Sequence, residues 1–193
     1  MRATKMFAAA VLALSGLVAA SQASAQGFYI GGSVGQSNFN DSNAVPDLIT
    51  SGSVDGKGTG YKIFGGYQFN QNFGAELAWV DLGKASYSGT FLGAPVTGGT
   101  VKTSGLNISV VGTLPLSSGF ALFAKAGLFS WEAKANDTTG GIPFSGTDNG
   151  GDVSFGIGAS YNFTKNFGVR AEWERFKAVG DIDLLSVGVV YKF

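Results

Sequence analysis

The chain has 193 residues with 13 basic and 13 acidic side chains, no Cys and no His. Balanced charge excludes a nucleic-acid footprint, the lack of Cys excludes a disulfide framework, and the lack of His removes the commonest general base and metal ligand. Glycine occupies 31 positions, more than twice the ~7% share of ordinary chains.

Arg2 and Lys5 form a short basic region, and Met6 to Ala20 is apolar apart from Ser15 and Gly16. Ala23-Ser24-Ala25 then supplies a small-x-small cleavage pattern. A signal peptide over residues 1–25, cut before Gln26, is predicted, because about 15 apolar residues fall short of the ~20 that span a bilayer. Residues 26–193 are predicted to form one domain, slightly acidic once Arg2 and Lys5 are removed.

Eight segments alternate with period 2, the signature of strands whose faces meet different media. They are Phe28–Ser37, Thr59–Phe69, Phe73–Leu82, Gly105–Leu114, Phe120–Glu132, Val153–Asn162, Phe167–Arg175 and the closing stretch Leu185–Phe193. The seventh sets Phe167, Val169, Ala171 and Trp173 against Gly168, Arg170, Glu172 and Glu174. The connections Asn70–Asn72, Pro115–Gly119 and Phe163–Asn166 are short and rich in turn residues. Between them lie Asn38–Gly58, Gly83–Ser104 and Ala133–Asp152, read as loops of about 20 residues each, and a shorter Phe176–Asp183. Short turns at one rim and long loops at the other are the layout of an outer-membrane barrel.

A soluble eight-stranded barrel shares this period with the phase reversed. The membrane phase is favoured because aromatics recur near strand ends in the apolar row: Tyr67, Phe69, Phe73, Tyr161, Phe167, Tyr191 and Phe193. An interfacial girdle places them there. The opposite row is dominated by Gly, Ser and Asn, too small and polar to line an apolar pocket. The expected fold is all-β: an eight-stranded antiparallel up-and-down transmembrane β-barrel. The last strand, an exposed edge in any open sheet, then finds its partner in the first.

With the apolar row outward, Glu76, Lys125, Arg170 and Glu172 point into the lumen at similar heights. Unpaired buried charge costs several kcal/mol, so the pairs Glu76–Arg170 and Glu172–Lys125 are expected, with Lys62 as a further base nearer the loops. An eight-stranded lumen is only just wide enough for side chains, so the cluster reads as a structural plug.

The run Phe64-Gly65-Gly66-Tyr67-Gln68-x-Asn70, then Gly74-x-Glu76 and Trp79-Val80-Asp81-Leu82-Gly83, resembles the second hairpin of the outer membrane protein A transmembrane domain. Phe28-Tyr29-x-Gly31, Arg170-Ala171-Glu172 and Ser186-Val187-Gly188-x-x-Tyr191-Lys192-Phe193 resemble that family too. The resemblance covers the eight strands and not the long connections. It implies an ion path gated by exchange of lumenal charge partners. It also implies that Gly188, Tyr191 and Phe193 act as the signal read by the outer-membrane insertion machinery. Val111, Ser33 and Ser160 stand near positions where the family places further lumenal charges. The peptidoglycan-binding domain of longer members is not expected after Phe193.

No catalytic, metal or cofactor site is expected. Asp81, Asp137, Asp148, Asp152, Asp181 and Asp183 read as ordinary loop acids ahead of divalent-cation ligands. Lys84, Lys102, Lys134, Arg175 and Lys177 flank the outer rim, where they read as single solvated charges ahead of contacts to lipid phosphates. The expected partners are outer-membrane lipid and lipopolysaccharide, periplasmic chaperones and the insertion machinery. The expected role is structural, with low-conductance permeability as an accompaniment. The alternative is a surface adhesin or receptor whose loops meet host or phage ligands.

Overall fold

The computed structural model describes residues 26–39, 49–91, 94–139, 141–178 and 180–193. The leader over residues 1–25 lies outside them. The described residues form β1 (Gly27–Phe39), β2 (Ile49–Asp55), β3 (Lys57–Gln68), β4 (Phe73–Phe91), β5 (Ala94–Pro115), β6 (Phe120–Thr139), β7 (Ile142–Asn162), β8 (Phe167–Lys177) and β9 (Asp181–Lys192). Every pairing is antiparallel. β3 lies between β1 and β4, pairing then runs in order from β4 to β9, and β9 pairs back onto β1 from Tyr29↔Lys192 to Phe39↔Ile182. Eight strands therefore close into a barrel, and β2 pairs only with the far end of β4. Closure satisfies the backbone groups of the last strand, whose edge would otherwise be a template for aggregation.

The alternation has one phase throughout the belt. Ile63 and Leu185 are 68% and 63% exposed, whereas Lys62 and Glu76 are 1% and 2% exposed. Charges inside and Ile, Leu and Val outside stabilise a barrel only when the surrounding medium is hydrocarbon. The close approach of inward rings rests on glycine. A Cβ on Gly66 would stand 2.3 Å from the Tyr29 ring, and one on Gly31 would stand 2.3 Å from the Phe64 ring.

The long connections depart from expectation. Most of Gly83–Ser104 and Ala133–Asp152 is strand, because β4 and β5 continue as one tall hairpin and β6 and β7 as another. β2 extends the same sheet within the predicted loop Asn38–Gly58, giving a five-stranded order β2-β4-β5-β6-β7 above the belt. These extensions keep a short inward row of Ala85, Tyr87, Val101 and Ala133, while the residues that alternate with them, such as Lys84, Ser86, Lys102 and Lys134, are polar and exposed. The outward apolar row that marks the membrane belt therefore stops before the strands do. β7 also outruns β8: their pairing ends at Ser154↔Phe176, and residues 142–153 pair only with β6.

One irregularity re-aims a strand. Gly83 has φ +77° and donates its N–H to Asp81 Oδ1 at 2.9 Å, and the β4–β5 register shifts between Asp81 and Lys84. The bulge reverses the parity of β4, so Leu82 and Ala85 are both buried while Lys84 is exposed.

Candidate lumenal site

Six charges meet in the barrel interior. Lys62 on β3, Glu76 on β4, Lys125 on β6 and Arg170, Glu172 and Glu174 on β8 take inward positions, and their side chains are at most 7% exposed. Arg170 Nη1 lies 2.8 Å from Glu76 Oε2, and its Nη2 lies 2.6 Å from Glu172 Oε2. Lys125 Nζ reaches Glu76 at 3.1 Å, Glu172 at 3.0 Å and Glu174 at 2.5 Å. Lys62 bridges Glu172 and Glu174. Three acids therefore face three bases, and each charge has at least two partners of opposite sign. That compensation is what allows six charges to be buried together.

The pairs expected from strand spacing, Glu76–Arg170 and Glu172–Lys125, are both within ion-pair distance. They are not separate pairs, because Lys125 and Arg170 each bind both carboxylates. Lys62 joins the network directly instead of standing apart near the hairpins. Two members escaped the sequence reading. Glu174 continues the inward row of β8 two residues beyond Glu172, and that alternation was its signal. Tyr29 donates its hydroxyl to Glu76 Oε2 at 3.2 Å; no local pattern announces it, since its seat is created by Gly66 on the neighbouring strand. The Arg170 guanidinium also lies over the Phe64 ring, 4.0 Å from its centroid, a cation–π contact that strengthens away from water.

Above the charges the interior is apolar, contrary to the expected small, polar row. Val80, Leu82, Phe129, Phe176, Ile182 and Leu184 are almost wholly buried, with the Phe129 and Phe176 rings 4.8 Å apart. These inward positions lie on the hairpin side of the ion-pair network. They are large because the charged layer ends below them and the lumen there still has to be filled. On the turn side, a cavity of about 590 Å³ reaches Tyr29, Val111, Arg170 and Val190 and is rimmed by Lys165 and Lys192. Ser160 also lines this cavity, so two of the positions compared with family charges border it with uncharged side chains.

The predicted aromatic residues gather at the turn rim. Phe28 and Tyr67 are 4.7 Å apart, Tyr67 and Phe69 5.6 Å, Phe120 and Tyr161 4.5 Å, and Phe167 and Tyr191 4.9 Å. Phe73 is exposed on the same rim, and Tyr191 packs on Phe193 at 5.0 Å. Gly188 lies at the closing seam, where a Cβ would meet Gly32 O at 2.4 Å. The Phe193 N–H donates to Phe28 O at 3.0 Å, tying the last residue to the first strand.

The loop acids have protein partners. Asp81 binds Lys102 at 2.8 Å, Asp183 accepts from Arg175 at 2.6 Å, and Asp181 binds Lys177 at 2.9 Å. Asp137 accepts from Tyr87 at 3.0 Å, Asp152 from Trp131 at 3.1 Å, and Asp148 from the Asn149 N–H at 2.8 Å. Outside the membrane belt, burial pushes the Tyr87 hydroxyl up to about 12, helped by its hydrogen bond to Asp137.

The family described as outer membrane protein beta-barrel domain matches residues 7–193. Outer membrane protein A of Yersinia pseudotuberculosis is 29% identical over 96% of this chain and 54% of its own length. The Shigella flexneri protein of that name is 28% identical over 96% of this chain and 54% of its own length. The chain thus spans about half the length of these relatives. Among solved structures, the outer membrane protein OprG of Pseudomonas aeruginosa superposes with a TM-score of 0.64 at 12% identity, covering 88% of this chain and 96% of that one. Ail of Yersinia pestis superposes with a TM-score of 0.55 at 17% identity, covering 87% and 97%. At these identities the two structures speak for the fold alone. With a closed eight-stranded barrel, an apolar outer belt and a family match over nearly its whole length, the chain belongs to the outer membrane protein beta-barrel domain family, as an outer-membrane barrel similar to outer membrane protein A.

Proposed function

We propose that the chain is a structural outer-membrane barrel with a plugged lumen, which holds a tall β-sheet at the cell surface and is not an open pore. The observation that carries this is the two-level seal. Six mutually compensated charges fill one level, and Phe129, Phe176, Leu82, Ile182 and Leu184 fill the next. An ion path needs both levels to move, whereas exchange of charge partners opens only the first. The protein reconstituted in planar bilayers is expected to give no sustained single-channel openings. Frequent openings in the unmodified chain would overturn the reading. Residues 1–25 are read as the export signal, and a mature membrane-inserted form starting at Gln26 is the expected product. Gly188, Tyr191 and Phe193 are read as the contact for the insertion machinery.

A second reading, surface recognition, is favoured by the β6–β7 hairpin. Among the described residues, 142–153 of β7 leave one backbone edge without a strand partner, and Ile142 and Phe144 at the tip are 60% and 55% exposed. Open edges and exposed apolar tips are common docking features. Trimming residues 133–152 while heat-modifiable mobility is kept is expected to abolish binding to host cells. Unchanged binding would exclude this hairpin.

A further inference from the structure

We propose that the outward face of β4–β6, just above the apolar belt, binds the phosphate groups of an outer-leaflet glycolipid through Lys84, Lys102 and Lys134. The inference rests on the membrane orientation adopted above, with the tall hairpins outside. The registers set three successive rungs across these strands. Trp79, Leu106 and Ser130 form the last rung with large apolar side chains. Asp81, Ser104 and Glu132 form the next, and Lys84, Lys102 and Lys134 the one above it. All three lysines are exposed on the outward face.

Like charges directly opposite each other on paired strands repel, so three in one rung call for an anion. The protein supplies only part of it. Lys102 reaches Asp81 at 2.8 Å and Lys134 reaches Glu132 at 2.8 Å, while no ion pair joins Lys84 to any carboxylate among the described residues. The two existing pairs are half exposed on the lysine side, and such pairs hold their partners weakly. The rim at β8–β9 differs: Arg175 and Lys177 face Asp183 and Asp181, so charge there is balanced within the protein.

The Gly83 bulge builds the rung. Without its register shift Lys84 would keep the inward parity of Val80 and Leu82, facing an apolar interior; with it, the ammonium joins Lys102 outside. Opposed positions on neighbouring strands are ~5 Å apart at Cβ, a spacing one phosphate bridges with two oxygens. The rung beneath the carboxylates is apolar, so a ligand with acyl chains gains contact with Trp79 and Leu106 that a free anion does not.

The test uses the full chain folded in detergent micelles, with three probes: lipopolysaccharide, the same lipid stripped of its phosphates, and inorganic phosphate. The folded protein is expected to prefer the phosphorylated lipid. Lys84→Gln is expected to weaken that binding about fivefold, the worth of one lysine near an anionic surface. The triple variant K84Q/K102Q/K134Q is expected to lose the preference, and the corresponding triple Arg variant to keep it. Lys177→Gln is expected to change nothing. A triple Gln variant that still discriminates between the lipids would overturn the proposal, as would inorganic phosphate competing as well as the lipid at equal molarity. Heat-modifiable mobility and insertion into vesicles, read on every variant, separate the two readings. A barrel that inserts without lipid preference sinks only the lysine site; an unmodified chain that does not insert sinks the membrane barrel on which that orientation rests.

Discussion

Arg170 on β8 and Glu76 on β4 stand 94 positions apart in the chain and share two hydrogen bonds across the lumen, of 2.8 and 3.3 Å. The same guanidinium lies over Phe64 and Phe123 and holds Glu172. Four strands thus converge on one side chain, and its removal exposes the balance of the whole network.

Arg170→Ser leaves three buried carboxylates facing two lysines. Destabilisation of about 3–5 kcal/mol is expected, the usual cost of removing one partner from a buried ion pair. Urea unfolding in lipid vesicles measures it. Pairing the change with Glu76→Gln is expected to recover part of the loss, because the acid-to-base balance returns to two against two. A single variant as stable as the parent would mean that the network contributes little.

The apolar layer makes a separate prediction about conductance. Arg170→Ser alone is expected to leave planar bilayers silent, since Phe129 and Phe176 still fill the lumen above. Adding Phe129→Ala and Phe176→Ala is expected to produce single-channel events. Events from Arg170→Ser alone would instead point to a gate set by charge partners.

Tyr87 offers a spectroscopic check on the hairpins. Its hydroxyl is buried, donates to Asp137 across the intervening strand β5, and titrates near 12 instead of the ordinary 10. A tyrosine whose folded value is raised stabilises the folded state fully below pH 10, and that contribution is lost as pH rises through 12. Absorbance titration of the folded barrel is expected to show a tyrosine step near pH 12 whose amplitude falls by one tyrosine in Tyr87→Phe. An unchanged amplitude at that pH would assign the step to another tyrosine.

Deleting Phe193 tests the closing strand. Its N–H bonds to Phe28 O and its ring packs on Tyr191, both at the turn rim. Assembly in cells is expected to fall sharply, while the truncated chain refolded in detergent keeps its heat-modifiable mobility. Equal assembly of both chains would remove Phe193 from the insertion signal.

Period-2 alternation and short polar turns were sufficient to read eight membrane strands, their phase and the inward row of Glu76, Lys125, Arg170 and Glu172. Those features are local, and hydrocarbon outside a closed sheet imposes them on every strand. The same logic stopped where the medium changed. Above the belt the outward face meets water, so the extensions of β4–β7 lost the outward apolar row while keeping their pairing and a short inward row of Ala85, Tyr87, Val101 and Ala133.

What the sequence determined by itself was therefore the barrel, its orientation relative to the apolar solvent and the charged row within it. Tertiary structure alone decided which charges share partners, because shear between strands sets heights that counting along one strand does not. It also decided that Tyr29 reaches Glu76 over a glycine on the next strand, and that Phe129 meets Phe176 to seal the lumen. The bulge at Gly83 belongs to the same class: one residue in a left-handed conformation reverses the faces of β4 from Lys84 to Ser88, and carries Lys84 from inside to outside.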